Sequence, residues 1–410
     1  MSPTPLDRRG FLAAAAGAGC LAAGCTRPAA PPAASPARPD PPAEVPVAYP
    51  ASRPNVVLVR FGGGVRRHET IRFPERTCCP FLLHELAGKR GLLFADVQIA
   101  AQPGVVTSHR EGTLYLLTGE YGRYTDVSGI PLAYSFIPDK PTLPEYLRRR
   151  YSDVAPHQAV IVNSEDRVSE EFYNHSNHHH YGVDYRATVL SLFAFKTHLL
   201  RRRLADPAAP EGRRADAQRQ LARVLARDYR GAPPAPDRRL EEFWDGWRRD
   251  YGESGLVHPR GDRVLTALAL RALKELRPRF LMVNYQDTDY VHWGPAHFYT
   301  RALSVIDDGL RQLYHGVQAD EHYRDNTVFV VVPDCGRDNN RGMAVPFQHH
   351  FGSRTAHEIF AVVAGPEKWV PRSRTPVDRP QQQISVAATV GELMGFTPTH
   401  ADAGSLFKVV

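Results

Sequence analysis

Lysine is nearly missing from this chain: of 51 basic residues only six (89, 140, 196, 274, 368 and 408) are lysine. The formal charge of +7 is thus an arginine charge in an Ala- and Pro-rich chain, and it reads as compositional bias rather than as a binding surface. The arginine runs (Arg201-Arg202-Arg203, Arg213-Arg214, Arg238-Arg239, Arg248-Arg249) have acids scattered among them and no aromatic interleaving. That pattern fits a solvated helical face and speaks against a nucleic-acid partner. Cysteine is scarce too: Cys20, Cys25, Cys78, Cys79 and Cys335, two of them in the N-terminal leader, which excludes a disulfide framework. Past the leader no run of about 20 apolar residues occurs, so no transmembrane segment is expected in the mature chain. No Gly-x-Ser-x-Gly elbow is present. With 42% hydrophobic residues over 410 positions, a disordered or fibrous chain is excluded and a large core is expected.

The first 25 residues read as an address. Asp7-Arg8-Arg9-Gly10-Phe11-Leu12 precedes a modest Ala/Gly run and resembles a twin-arginine export signal. Leu21-Ala22-Ala23-Gly24-Cys25 resembles a lipoprotein cleavage box with its leucine one place early, which makes Cys25 the candidate lipid anchor and simple cleavage the alternative. One acyl chain anchors only marginally. Residues 26–53 carry Pro-Ala repeats and are expected to form an extended tether. The expected location is the periplasm or cell envelope.

Beyond the tether, β-branched runs alternate with helical patterns. Asn55–Arg60, Leu92–Ile99, Gln158–Asn163, Phe280–Tyr285, Thr327–Val332 and Ile359–Val363 read as strands. Pro80–Lys89, His109–Leu117, Thr142–Tyr151, His297–Val317 and Gln383–Met394 read as helices. The expected fold is α/β, a mostly parallel sheet with helices on both faces, formed by 54–165 and 278–410. Residues 166–277 change character and read as a helical cap insertion.

In such sheets the polar residues just past the strand ends face the ligand crevice. Three segments there are rich in carboxylates and imidazoles: Gln286-Asp287-Thr288-Asp289-Tyr290-Val291-His292, Asp334-Cys335-Gly336, and Gln348-His349-His350. Neutral imidazole and carboxylate suit zinc and related divalent ions.

These stretches, with Thr107-Ser108-His109 to Thr118-Gly119 and the ending Ile384–Phe396, resemble the alkaline phosphatase-like superfamily of phosphatases, sulfatases, phosphodiesterases and cofactor-independent phosphoglycerate mutases. The resemblance implies a Ser, Thr or modified Cys nucleophile at a helix N-terminus and two metal ions. One ion would be held by Asp289 (or Asp287), His292 and His350. The other would need an Asp after the first strand and an Asp-His-Gly turn. Here the strand ends Val59-Arg60-Phe61-Gly62 and the turn is Asp334-Cys335-Gly336, so both departures fall on the second ion. Two outcomes are open. Arg60 enters the vacated space, pairs with Asp334 and offers a fixed positive charge, or Cys335 as thiolate joins Asp334 and Glu69 or His68 in a softer site. Counting back from Gly119 by the family interval lands on His109, and shifts of one or two residues select Ser108 or Thr107. Ser108 has the alternative of a plain N-cap, and His109 that of an acid or base. His178-His179-His180, His357 and Glu111 are lesser candidates.

The expectation is an exported metal-dependent hydrolase of small anionic phosphate or sulfate esters, with zinc foremost among the divalent ions and one ion rather than two. A catalytically degenerate envelope binding protein on the same fold, or a metal-independent serine hydrolase, are the rivals.

Overall fold

In the computed structural model the described residues are 45–122, 124–126, 136–163, 173–225, 237–258, 260–292, 294–340, 342, 345–349 and 352–410. The signal, Cys25 and most of the tether lie outside them. Residues 45–53 are described and touch the folded body: Val47 N donates to Arg150 O (3.1 Å) and Tyr49 N to Asp153 Oδ1 (2.7 Å).

Among the described residues ten strands form: β1 Asn55–Phe61, β2 Gly91–Gln98, β3 Tyr124–Asp126, β4 Phe136–Pro138, β5 Ala159–Val162, β6 Thr188–Leu190, β7 Phe280–Tyr285, β8 Thr327–Pro333, β9 Glu358–Ala364 and β10 Gln381–Gln382. Eight make one sheet in the order β10-β2-β9-β8-β1-β7-β5-β6, while β3 and β4 pair separately. Every pairing in the large sheet is parallel except those of β9, which runs antiparallel to β2 and β8. The edge strand β6 comes from within 166–277, so the sheet itself reaches into the stretch read as an insertion.

The central strands are apolar on both faces because both faces are covered. Val57, Val59, Leu281, Val283, Phe329, Val331, Phe360 and Val362 point into one core with Leu265, Leu268, Leu303, Ile306, Leu310 and Leu313. These last six lie on helices Asp262–Glu275 and Ala296–Ala319. The alternate residues Val56, Leu58, Met282, Val330 and Val363 enter the opposite core with Leu116, Leu147, Val390 and Leu393. Those come from helices His109–Thr118, Leu143–Arg150 and Ser385–Met394. Each fully buried aliphatic side chain contributes roughly 1.5–3 kcal/mol, so the sheet is a rigid base for the loops at its rim.

Register sets that rim. Phe61 is level with Tyr285 and with Pro333, so the loops after β1, β7 and β8 leave the sheet side by side. Because β9 is antiparallel, the segment entering it arrives at this same edge. The stretch 166–277 holds helices Leu192–Ala205, Glu211–Leu225, Arg238–Tyr251 and Asp262–Glu275, capped where Ser191 accepts from Ala194 N and Asp237 from Arg239 N and Leu240 N.

Asp307, on helix Ala296–Ala319, caps another helix from outside, accepting from Phe81 N and Leu82 N (both 2.9 Å). Burial pushes its carboxyl up to about 6, although the two amides pull the other way. A carboxyl that holds its proton more tightly folded than unfolded stabilises below the unfolded value of about 3.9, and that contribution is lost as pH rises through about 6. Wild type should therefore lose more stability than Asp307→Asn between pH 4 and pH 7, by about 1–3 kcal/mol in urea titrations. Equal losses would contradict this.

Candidate metal centre

The site is built by four loops at the sheet's rim. The loop after β1 is Gly62-Gly63-Gly64. Gly63 has φ +86°, and a Cβ there would collide with Thr288 Oγ1 and Asp289 N. Only glycine lets this loop lie on the turn that carries Asp289. Helix His109–Thr118 approaches from the other side. Gly112 in its first turns packs on the Asp334 backbone, where a Cβ would strike the carbonyl. That close approach brings His109 against Asp334.

His109 is buried and held at both ring nitrogens. Nδ1 meets Asp334 Oδ2 at 2.9 Å and Nε2 meets Asp289 Oδ1 at 2.6 Å. Asp334, wholly buried, also accepts from Gly63 N (3.1 Å), Gly64 N (3.1 Å) and Cys335 N (2.7 Å). Burial alone would raise its pKa. The charge and hydrogen bond of His109, then the charges of Arg60 and His349, outweigh burial and hold it far below the usual carboxylate range. Asp334 is therefore an acceptor, and His109 Nδ1 carries the proton.

The same logic fixes two further imidazoles. His292 Nδ1 donates to Phe347 O (2.7 Å) and His349 Nδ1 to Thr107 O (3.0 Å). In all three rings Nδ1 has an acceptor for its proton, so each Nε2 presents its lone pair inward once a cation takes the place of a second proton. Nε2 of His292 is 3.1 Å and Nε2 of His349 3.9 Å from Asp289 Oδ1. His109, Asp289, His292 and His349 thus offer four ligand atoms within 4.8 Å of one another. Four lone-pair donors facing one another require protons or a cation among them. Donors about 2.0–2.1 Å from a tetrahedral zinc stand roughly 3.3 Å apart, close to the spacings seen here. The residues present therefore fit a divalent ion.

Of the sequence candidates, Asp289 and His292 meet here. His350 lies outside the described residues; His349, its neighbour, takes a place in the cluster. Asp287 is not among the four: its Oδ2 accepts from Asp262 N (3.1 Å), and the carboxyl of Asp262 is pushed well up by burial and by Asp287. His109, expected as an acid or base, stands as a fourth donor. Only the count back from Gly119 had singled it out.

A second set, His109, Asp334 and Cys335, also lies within ligand reach. Its third member is His109 rather than Glu69 or His68. Glu69 pairs with Arg66, and His68 packs edge-on against Phe73 at 4.9 Å. Cys335 is buried, and burial and then Asp334 push its thiol well up, which opposes a thiolate. Arg60 is wholly buried. Its Nη1 donates to Thr113 Oγ1 and, at 3.4 Å, to His109 O, and its charge helps lower Asp334.

The two hydroxyl candidates differ. Thr107 is buried and donates to the His349 carbonyl. Ser108 is half-buried, caps helix His109–Thr118 and donates to Glu111, whose carboxyl burial raises. His357 Nδ1 donates to Ile99 O (3.0 Å). His178, His179 and His180 stack on one another, and His178 also packs on His400. None of these four belongs to either ligand set among the described residues.

His349→Ala should lower zinc affinity at least about tenfold and His350→Ala should leave it unchanged, as read by calorimetric titration. The reverse pattern would give the ligand role to His350.

No protein-family model and no curated protein matches this chain by sequence. Solved structures do match it. A putative sulfatase from Bacteroides thetaiotaomicron aligns with TM-score 0.52 and 12% identity over 86% of this chain and 74% of its own. BT1596, a 2-O GAG sulfatase, aligns at 0.51 and 11% over 87% and 73%. A protein in the alkaline phosphatase superfamily from Vibrio parahaemolyticus aligns at 0.48 and 13% over 88% and 71%. With its mostly parallel sheet and helix-covered faces, the chain shares the fold of BT1596 and of the putative sulfatase.

Proposed function

We propose that this chain is an exported hydrolase of phosphate or sulfate esters that works with one divalent metal ion, zinc foremost. The observation that carries the reading is the convergence of three imidazole Nε2 atoms on Asp289 Oδ1, each ring fixed by an acceptor at Nδ1. The fold shared with sulfatases supports ester hydrolysis, and the twin-arginine and Cys25 patterns support export to the envelope with a lipid anchor.

A divalent ion there would supply Lewis acidity toward an ester oxygen and offset the charge of an anionic substrate. The chain's own groups do the rest. Asp334 holds His109 in the Nδ1-protonated tautomer, and Arg60 adds a fixed positive charge behind it. Ser108 is the hydroxyl best placed as nucleophile: it sits next to His109 at a helix start and donates to a carboxylate. Thr107, bound to the His349 carbonyl, orients that ring instead. One ion suffices for this arrangement, because the first strand ends Val59-Arg60-Phe61-Gly62, without the aspartate that the superfamily resemblance implies for a second ion. The helices within 166–277 are proposed to select the substrate.

A second reading is favoured by one observation. Four protein donors close a tetrahedral shell, as structural zinc sites do, whereas catalytic ones keep a position open. On that reading the chain is an envelope metal-binding protein without turnover.

Metal analysis and turnover of p-nitrophenyl phosphate and sulfate by the mature protein separate the two. The hydrolase reading expects about one equivalent of ion, activity abolished by chelator, and at least a ~100-fold loss in kcat for Ser108→Ala. A metal-loaded protein with no turnover of either ester would favour the second reading. Turnover that survives chelation would contradict both.

A further inference from the structure

Arg337 lies three residues beyond Asp334, and its side chain is wholly buried. Its Nη1 donates to the Thr288 carbonyl at 2.6 Å, and its guanidinium carbon lies 5.6 Å from the centre of the Tyr299 ring. Nε and Nη2 have no hydrogen-bond partner among the described residues. A buried guanidinium is costly and cannot shed its proton. The charge of Asp334 offsets part of that cost, and the one carbonyl that Arg337 reaches belongs to the turn that carries Asp289.

Thr288 immediately precedes Asp289 and is clamped from two sides. Its hydroxyl donates to Gly62 O in the loop after β1, and its carbonyl accepts from Arg337 in the loop after β8. The start of the turn is held by Asp262, which accepts from Gln286 N (2.8 Å) and Asp287 N (2.9 Å), and Asp289 N donates to Gln286 O (2.9 Å); at the Thr288 carbonyl itself Arg337 is joined by Val291 N (3.3 Å). Asp289 is the oxygen donor on which the three imidazoles converge, so a small rotation of the Thr288–Asp289 peptide would carry its carboxylate off the imidazoles.

We propose that Arg337 is a positioning residue for the metal centre. It acts through the Thr288 carbonyl, fixing the turn so that Asp289 Oδ1 faces the Nε2 atoms of His109, His292 and His349. This rests on the metal-centre reading above. Arginine suits the role because its flat fork can stack on Tyr299 while one arm reaches the carbonyl. Lysine cannot keep both contacts.

The test is zinc affinity of the folded full-length mature protein by calorimetric titration, with the visible spectrum of the cobalt-loaded form as a second readout. Arg337→Met should weaken zinc binding about 10–100-fold and alter the cobalt bands, with Arg337→Lys between it and wild type. Leu313→Ala, a buried change on helix Ala296–Ala319 about four turns from Tyr299, should lower Tm and leave the zinc Kd unchanged. That separates positioning from lost stability. A wild-type Kd in Arg337→Met overturns the proposal. If Arg337→Met does not fold, a wild-type Kd in Arg337→Lys does the same. If wild type takes up no zinc or cobalt, the metal centre itself falls, and this proposal with it.

Discussion

The imidazole of His109 is held between two carboxylates, Asp334 at Nδ1 and Asp289 at Nε2, and the rest of the site depends on that bridge. Asp334 has no freedom to turn away. Three backbone amides, from Gly63, Gly64 and Cys335, hold it as a carboxylate at the bottom of the crevice. Its grip on Nδ1 keeps a proton there, which leaves Nε2 to share either a proton or a cation with Asp289. The bridge also joins two loops from different strands, so the same hydrogen bonds that close the rim orient the chemistry.

The sheet supplies the precision this requires. β1, β7 and β8 end level with one another, and β9 enters the same edge because it runs the other way. Four segments remote in sequence thus meet within a few ångströms, on a base whose side chains are buried on both faces. Glycines at 63 and 112 allow the last approach, where any larger residue would meet backbone. The second-ion ligands expected from the superfamily resemblance are changed together: arginine stands at position 60 and cysteine at 335. Arg60 is turned under helix His109–Thr118 and contributes charge, while Cys335 is buried as a thiol.

The strands were legible because burial on both faces demands uninterrupted β-branched and aromatic runs, as in Val56-Val57-Leu58-Val59 and Val328–Val332. β6 was not: three residues at the sheet's edge carry too little pattern to separate them from a loop. Asp289 and His292 were legible because polar residues past a buried strand have few other reasons to cluster. Choosing between His349 and His350 was beyond the sequence, since adjacent residues differ only in which way the backbone turns them. His109 was found by its interval to Gly119, but its partnership with Asp289, 180 residues away, is set by packing alone. Arg337 left no signal, because a single arginine in a glycine-containing loop looks like surface.

The central claim is that one divalent ion sits among His109, His292, His349 and Asp289. Anomalous diffraction at the zinc edge from crystals of the zinc-loaded protein tests it directly. The account predicts a single strong peak about 2.0–2.2 Å from the three Nε2 atoms and Asp289 Oδ1. A peak beside Asp334 and Cys335 instead, or none near Asp289, would contradict it.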